Sequence, residues 1–295
     1  DIAGSSGFDI SSDGTSALAS LNVAGRTELH QINLATGRAD KVGDLPNGIL
    51  GVAIPTEAVA YAIDGFNNLL TFNPLNPGTP ISKPLTGVAS GANILGIDFR
   101  PVNGQLYALG SNSQVYTINT ANGAATAVGT PFTPALSGGD IGFDFNPTVD
   151  RIRVVTNTGQ NLRLNPETGA IAAVDMATNP GNLIPTGAAY TNNFAGATTT
   201  VLYDIDISSG QLVRQDPPNN GTLVPVGSLG VSVEGANGFD ITSTTGTAYA
   251  LFRISRLSSP PGQSRVYTIN LGTGLATPVA DFPVSVRAMA VGLGF

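Results

Sequence analysis

Apolar and polar residues alternate in short runs along this chain, as in Tyr116-Thr117-Ile118 and Leu162-Arg163-Leu164, and each run stops at a cluster of Asn, Asp, Gly or Pro. A period of two puts successive side chains on opposite faces of an extended backbone, so these runs read as β-strands. They also recur. GIDFRPVNGQLYALGSNSQVYTINTANG (96–123) aligns without a gap to GFDFNPTVDRIRVVTNTGQNLRLNPETG (142–169), and GFDISSDGTSALASL from Gly7 aligns with GFDITSTTGTAYALF from Gly238.

Anchoring each unit on its first glycine gives starts at Gly7, Gly51, Gly96, Gly142, Gly187 and Gly238, about 45 to 50 residues apart. That period is one four-stranded propeller blade. The second strand of each unit has one column filled by Leu18, Tyr61, Tyr107, Arg153, Tyr203 and Tyr249. The third strand ends in Asn33, Asn73, Asn119, Asn165, Asp216 or Asn270, and a glycine follows four or five residues later. Asn and Asp start such turns by bonding their own backbone, and glycine finishes them at positive φ. The expected fold is therefore all-β: one six-bladed propeller of four-stranded blades spanning residues 1–295. A further copy of the first strand, VRAMAVG at 286–292, is left over. It is expected to form a fifth strand of a blade, displace the N-terminal strand within the same ring, or pair with another molecule.

Composition narrows the partners. Charged residues are 11% of the chain, the net charge is −7, and two lysines stand beside eleven arginines, which leaves no basic footprint for nucleic acid. Apolar runs such as Gly48–Ile54 are too short to span a membrane as a helix. Without cysteine there is neither a disulfide framework nor a thiolate metal site. A start at Asp1 with no methionine suggests that a targeting peptide has been removed, hence a secreted or cell-surface protein.

GIDFRPVNGQLYALG, GFDFNPTVDRIRVVTNTGQNLRLNPETGAIAAVD and GAAYTNNFAGATTTVLYDID resemble the bacterial domain of unknown function 4394 over roughly residues 61–295. The resemblance implies an exported, propeller-like protein and brings no catalytic residues. The first unit, Gly7 to Asp44, looks like a copy added outside that core.

Four aspartates share the third place of the first strand: Asp9, Asp98, Asp144 and Asp240, with Ala53, Ala189 and Ala290 in the other copies. First strands line a propeller's channel, so these carboxylates are candidate ligands for a hard cation such as Ca2+. The preferred reading is that each accepts backbone N–H groups and locks neighbouring blades, so no cofactor is expected. Arg151, Arg153 and Arg163 mark the fourth unit as an outlier and form a candidate ligand-binding cluster, set against an internal Arg–Asp network. The lone histidine, His30, falls in a column of packed residues (Leu70, Tyr116, Leu162, Val213, Tyr267), and no catalytic set is recognisable.

The expected function is a non-enzymatic extracellular structural protein, self-assembling into filaments or matrix through a terminal strand. The alternatives are a secreted or cell-surface binding module for glycan or protein, and a metal-dependent propeller hydrolase or lyase.

Overall fold

Turn chemistry sets the strand lengths. Gly37, Gly123, Gly169 and Gly274 each donate their N–H to the carbonyl of Asn33, Asn119, Asn165 or Asn270 at 2.7–2.8 Å. The same asparagine side chains accept the N–H two residues on. At Asp216 the turn differs: a 3-10 turn, Pro218–Asn220, intervenes before Gly221.

The computed structural model describes residues 7–11, 16–47, 49–54, 58–254 and 264–293. Its strands are β1 (Gly7–Ile10), β2 (Ala17–Val23), β3 (Arg26–Ile32), β4 (Ala39–Asp44), β5 (Ala60–Asp64), β6 (Asn68–Asn73), β7 (Asn76–Pro84), β8 (Ile94–Phe99), β9 (Leu106–Gly110), β10 (Val115–Ile118), β11 (Ala125–Val128) and β12 (Ile141–Asn146). They continue as β13 (Arg151–Thr156), β14 (Asn161–Leu164), β15 (Ile171–Val174), β16 (Pro185–Tyr190), β17 (Leu202–Asp206), β18 (Gln211–Gln215), β19 (Leu223–Ser228), β20 (Val233–Ile241), β21 (Ala248–Ile254), β22 (Ser264–Ile269), β23 (Ala276–Phe282) and β24 (Val286–Val291). They form six four-stranded antiparallel sheets, the architecture that the repeat implies. Among the described residues no helix is long and apolar enough to cross a membrane.

The chain divides into two compact units, Asp1–Glu57 and Ala58–Phe295. The first unit holds the sheet β1-β2-β3-β4. The second holds the other five. Its inner strands β8, β12, β16, β20 and β24 abut in succession, and β24 abuts β8 again, so five sheets close a ring.

The left-over strand explains the division. β24 pairs antiparallel with β5, with Ala290 opposite Tyr61 in the register by which Asp98 opposes Tyr107 and Asp240 opposes Tyr249. It is the inner strand of the sheet β24-β5-β6-β7, and the Gly51–Ile54 segment, where the repeat places that strand, is not in a strand. The ring thus closes on its C-terminal strand, which takes the inner position of the sheet it completes.

Apolar columns interlock within the ring. Tyr61 packs edge-on against Phe99, and Tyr107 against Phe145, both at 5.2 Å between ring centres. Each pair joins the second strand of one sheet to the inner strand of the next.

Candidate functional site: the aspartate column

Each inner strand places four residues in fixed order: Gly or Ala, an apolar residue, Asp or Ala, and another apolar residue. The aspartate reaches across to the following sheet. Asp98 Oδ2 accepts the N–H of Phe145 at 2.7 Å, Asp144 Oδ1 that of Tyr190 at 3.1 Å, and Asp240 Oδ2 that of Val291 at 2.6 Å. Within the first unit, Asp9 Oδ2 takes the N–H of Ile54 at 2.6 Å, the same column.

Alanines interrupt the column without leaving a donor unpaired. After Ala189 and Ala290 the next strand's N–H turns to its own aspartate: Ile241 to Asp240 Oδ1 at 2.6 Å, and Phe99 to Asp98 Oδ1 at 2.7 Å. Five N–H groups, one per inner strand of the ring, are therefore served by three carboxylates. A buried N–H without a partner is costly, so the column completes the backbone hydrogen bonding of the ring.

The same geometry crowds charge. Asp98, Asp144 and Asp240 are buried, and one carboxylate oxygen from each lies within 4.8 Å of the others. Burial, then the charge of Asp240, pushes Asp98 well up. Burial, then Asp98 and Asp240, pushes up Asp144. Burial raises Asp240 to about 7, opposed by its two N–H bonds. Three like charges this close and buried do not all ionise, so protons are retained. Asp98 and Asp240 accept donors on both oxygens, whereas Asp144 accepts one backbone N–H, on Oδ1, which leaves its Oδ2 to carry the proton.

An amide mimics a protonated carboxyl. Asp144→Asn is expected to keep the Tyr190 bond and leave stability at neutral pH nearly unchanged. Asp98→Asn and Asp240→Asn each turn an NH2 towards a backbone N–H and cost about 1–3 kcal/mol. Urea denaturation of the three variants at one pH measures the ordering. The trio has the chemistry to hold a hard cation, but Ca2+ takes six to eight oxygens and most of these are occupied by N–H groups. A Ca2+-dependent rise in melting temperature, lost in Asp144→Asn, would replace the clamp reading by a cation site. Asp9 belongs to the first unit, with both oxygens bonded there, to Ile10 and Ile54.

The arginine cluster divides. Arg153 is 1% exposed and bonds Asp175 (2.6 Å), Asn161 (2.7 Å), Asn219 (2.7 Å) and the hydroxyl of Tyr190 (3.2 Å). Arg163 grips both oxygens of the same Asp175 at 2.8 Å. Burial alone would raise Asp175, yet the two guanidiniums hold it below the ordinary carboxylate value. Arg151 stays apart and donates to the carbonyls of Val149 and Asp150. Two of the three candidate ligand-binding arginines are thus tied into an internal network. His30 is also engaged, with Nε2 2.9 Å from Glu28, which pairs with Lys41 at 2.8 Å.

The family model for a domain of unknown function, DUF4394, matches residues 1–53 and 68–292. The chain belongs to the DUF4394 family. Because the match includes residues 1–53, the first unit is part of the DUF4394 pattern and not an addition outside it. No protein of curated function matches the chain. Among solved structures, a protein of unknown function from Bacteroides thetaiotaomicron is similar at 13% identity and a TM-score of 0.49, over 80% of this chain and 63% of that one. This DUF4394 chain therefore spans less than two thirds of that neighbour's length. Proteins from Bacteroides uniformis and Bacteroides fragilis, each named a "putative 6-phosphogluconolactonase", are similar at 17% and 15% identity. Their TM-scores are 0.38, over 96% and 98% of this chain and 87% of each of theirs.

Two features of this DUF4394 chain escape its repeat pattern. Arg100 forms a two-pronged pair with Asp150 (2.9 and 2.5 Å) and reaches Glu167 at 2.5 Å, bridging consecutive sheets of the ring. Asp204 is fully buried, and neither of its oxygens has a hydrogen-bond partner among the described residues. Its signal was a polar residue in a column otherwise filled by Ala19, Ala62, Ala108, Val154 and Ala250.

Proposed function

We propose that this protein is a non-enzymatic structural protein that works outside the cell, as a rigid repeat scaffold associating with copies of itself. The observation that carries the reading is the engagement of the convergent carboxylates: Asp98, Asp144 and Asp240 hold the backbone of consecutive sheets together. The arginines that stood out as ligand-gripping groups point the same way, since Arg153 and Arg163 secure Asp175 inside the fold. An extracellular setting agrees with scarce charge and abundant glycine.

Self-association through the terminal strand would need β24 to leave a sheet in which it is paired along Val286–Val291. The scaffold reading therefore uses another surface. Negative-stain electron microscopy and sedimentation velocity of the purified chain test it: filaments or concentration-dependent oligomers are expected. A chain that stays monomeric while binding members of a glycan array would favour a binding module, and hydrolase or lyase activity abolished by a chelator would favour a metal enzyme.

A further inference from the structure

The inner-strand columns carry a second regularity. In the ring, the residue after each column glycine, or after Ala288 in β24, is packed: Ile97, Phe143, Ala188, Phe239 and Met289 are all buried, as are Phe99, Phe145, Tyr190, Ile241 and Val291 two places on. The same columns of β1 hold Phe8 and Ile10, which are 54% and 41% exposed.

The receiving column is just as regular. A Cβ added to Gly96, Gly142 or Gly238 would collide with Phe143, Ala188 or Met289 of the following inner strand, and one added to Gly187 would meet Asn237 and Phe239. In the first unit, Gly7 is closed in this way by the backbone of Gly51 and Val52. Gly51, in the same column, has nothing within 4 Å of an added Cβ, and Gly51 and Ala53 are both exposed. Among the described residues, the first unit thus shows an uncovered pair of apolar knobs and an uncovered shallow seat.

The ring contains the template for joining them. There β24, with Ala288 and Ala290, follows the aspartate strand β20 and precedes the aspartate strand β8, and its two alanines pack in one cluster with Ile97 and Phe99. In the first unit Gly51–Ile54 follows the aspartate strand β1 with the matching pair Gly51 and Ala53. Its clamp, Asp9 to the Ile54 N–H, copies that of Asp240 to Val291. The N–H of Ile10 turns to its own Asp9, as that of Phe99 turns to Asp98, which is the behaviour of a strand preceded by an alanine-bearing one.

Resting on the self-association proposed above, we propose that Phe8 and Ile10 of one copy seat on Gly51 and Ala53 of a second copy, repeating between molecules the contact that β24 makes with β8. Knob and seat lie on different surfaces of one unit, so the contact is head-to-tail. Each copy that joins presents a fresh knob or seat, and such a contact extends into a filament unless its rotation closes a ring.

Phe8→Asp removes the knob and Gly51→Leu fills the seat, with Ile10→Lys and Ala53→Leu as a second pair should either of the first fail to fold. Each variant alone is expected to associate about tenfold or more weakly than the unaltered chain in sedimentation velocity. An equimolar mixture of Phe8→Asp and Gly51→Leu retains one good knob and one good seat, and is expected to give dimers that grow no further. If the unaltered chain assembles and either variant assembles equally well, or the mixture gives no dimer, this surface is wrong while the scaffold reading stands. If the unaltered chain stays monomeric at its highest soluble concentration, the scaffold reading fails and the contact falls with it.

Discussion

Arg153→Tyr is expected to lower stability by about 3–5 kcal/mol, the cost of removing one partner from a buried ionic network, with a fall in melting temperature of roughly 10 °C. The substitution restores the residue that the column holds at Tyr61, Tyr107, Tyr203 and Tyr249, so strand propensity does not oppose it. The cost arises because Arg153 alone reaches Asn161, Asn219 and the Tyr190 hydroxyl as well as Asp175. The introduced tyrosine ring would meet Tyr190 where Tyr107 meets Phe145, and the side-chain oxygens of buried Asn161 and exposed Asn219 would each lose a donor. Arg163→Gln should cost less, near 1 kcal/mol, because that side chain is 31% exposed and Asp175 keeps Arg153. Arg151→Ala should change stability by under about 0.5 kcal/mol. Urea denaturation of the three variants gives the ranking. Equal small effects would mean that these arginines do not form a structural network and would return them to the role of a ligand surface.

Much of the architecture was legible because a propeller blade repeats its turn chemistry. Asn119 to Gly123 and Asn165 to Gly169 announce the same hairpin, and the period fixes where each sheet begins. The place of the last strand was not legible. Gly51–Ile54 and Ala288–Val291 carry the same signature, with alanine in the aspartate column and a β-branched residue after it. Local pattern cannot choose between them, since the choice lies in long-range pairing with β5. The aspartate column was readable as a channel-lining feature, whereas its alanines read as missing members of a cage. Their sense emerges only in three dimensions, where Asp98 and Asp240 each accept two donors and the column closes with three carboxylates. The Arg153 network was half visible: the departure from tyrosine was plain, but Asp175 and Asn219 lie 22 and 66 residues away and share no column with it.

Asp204 gives the largest expected pH effect. Burial pushes its carboxyl up to about 8, with the Arg153 charge opposing the rise and Asp206 adding to it. An unfolded aspartate releases its proton near pH 4. Below that pH both states hold the proton. Between roughly pH 4 and pH 8 only the folded state does, so folding takes up a proton and stability falls as pH rises across this window. Asp240, raised to about 7, and the elevated Asp98 and Asp144 act with the same sign. The protein is thus expected to be more stable at pH 5 than at pH 8, opposite to a fold held by salt-bridged carboxylates. Asp204→Val places in the column the residue that stands there at Val154, and removes an acid whose oxygens are unpaired among the described residues. It should stabilise the fold by roughly 2–4 kcal/mol at pH 8, with the gain shrinking towards pH 4, where both states hold the proton and only the burial of the neutral, unpaired carboxyl still costs. Thermal unfolding from pH 4 to 9 of both chains measures the difference. A gain independent of pH would show that Asp204 is ionised in the folded state, with a partner supplying its charge.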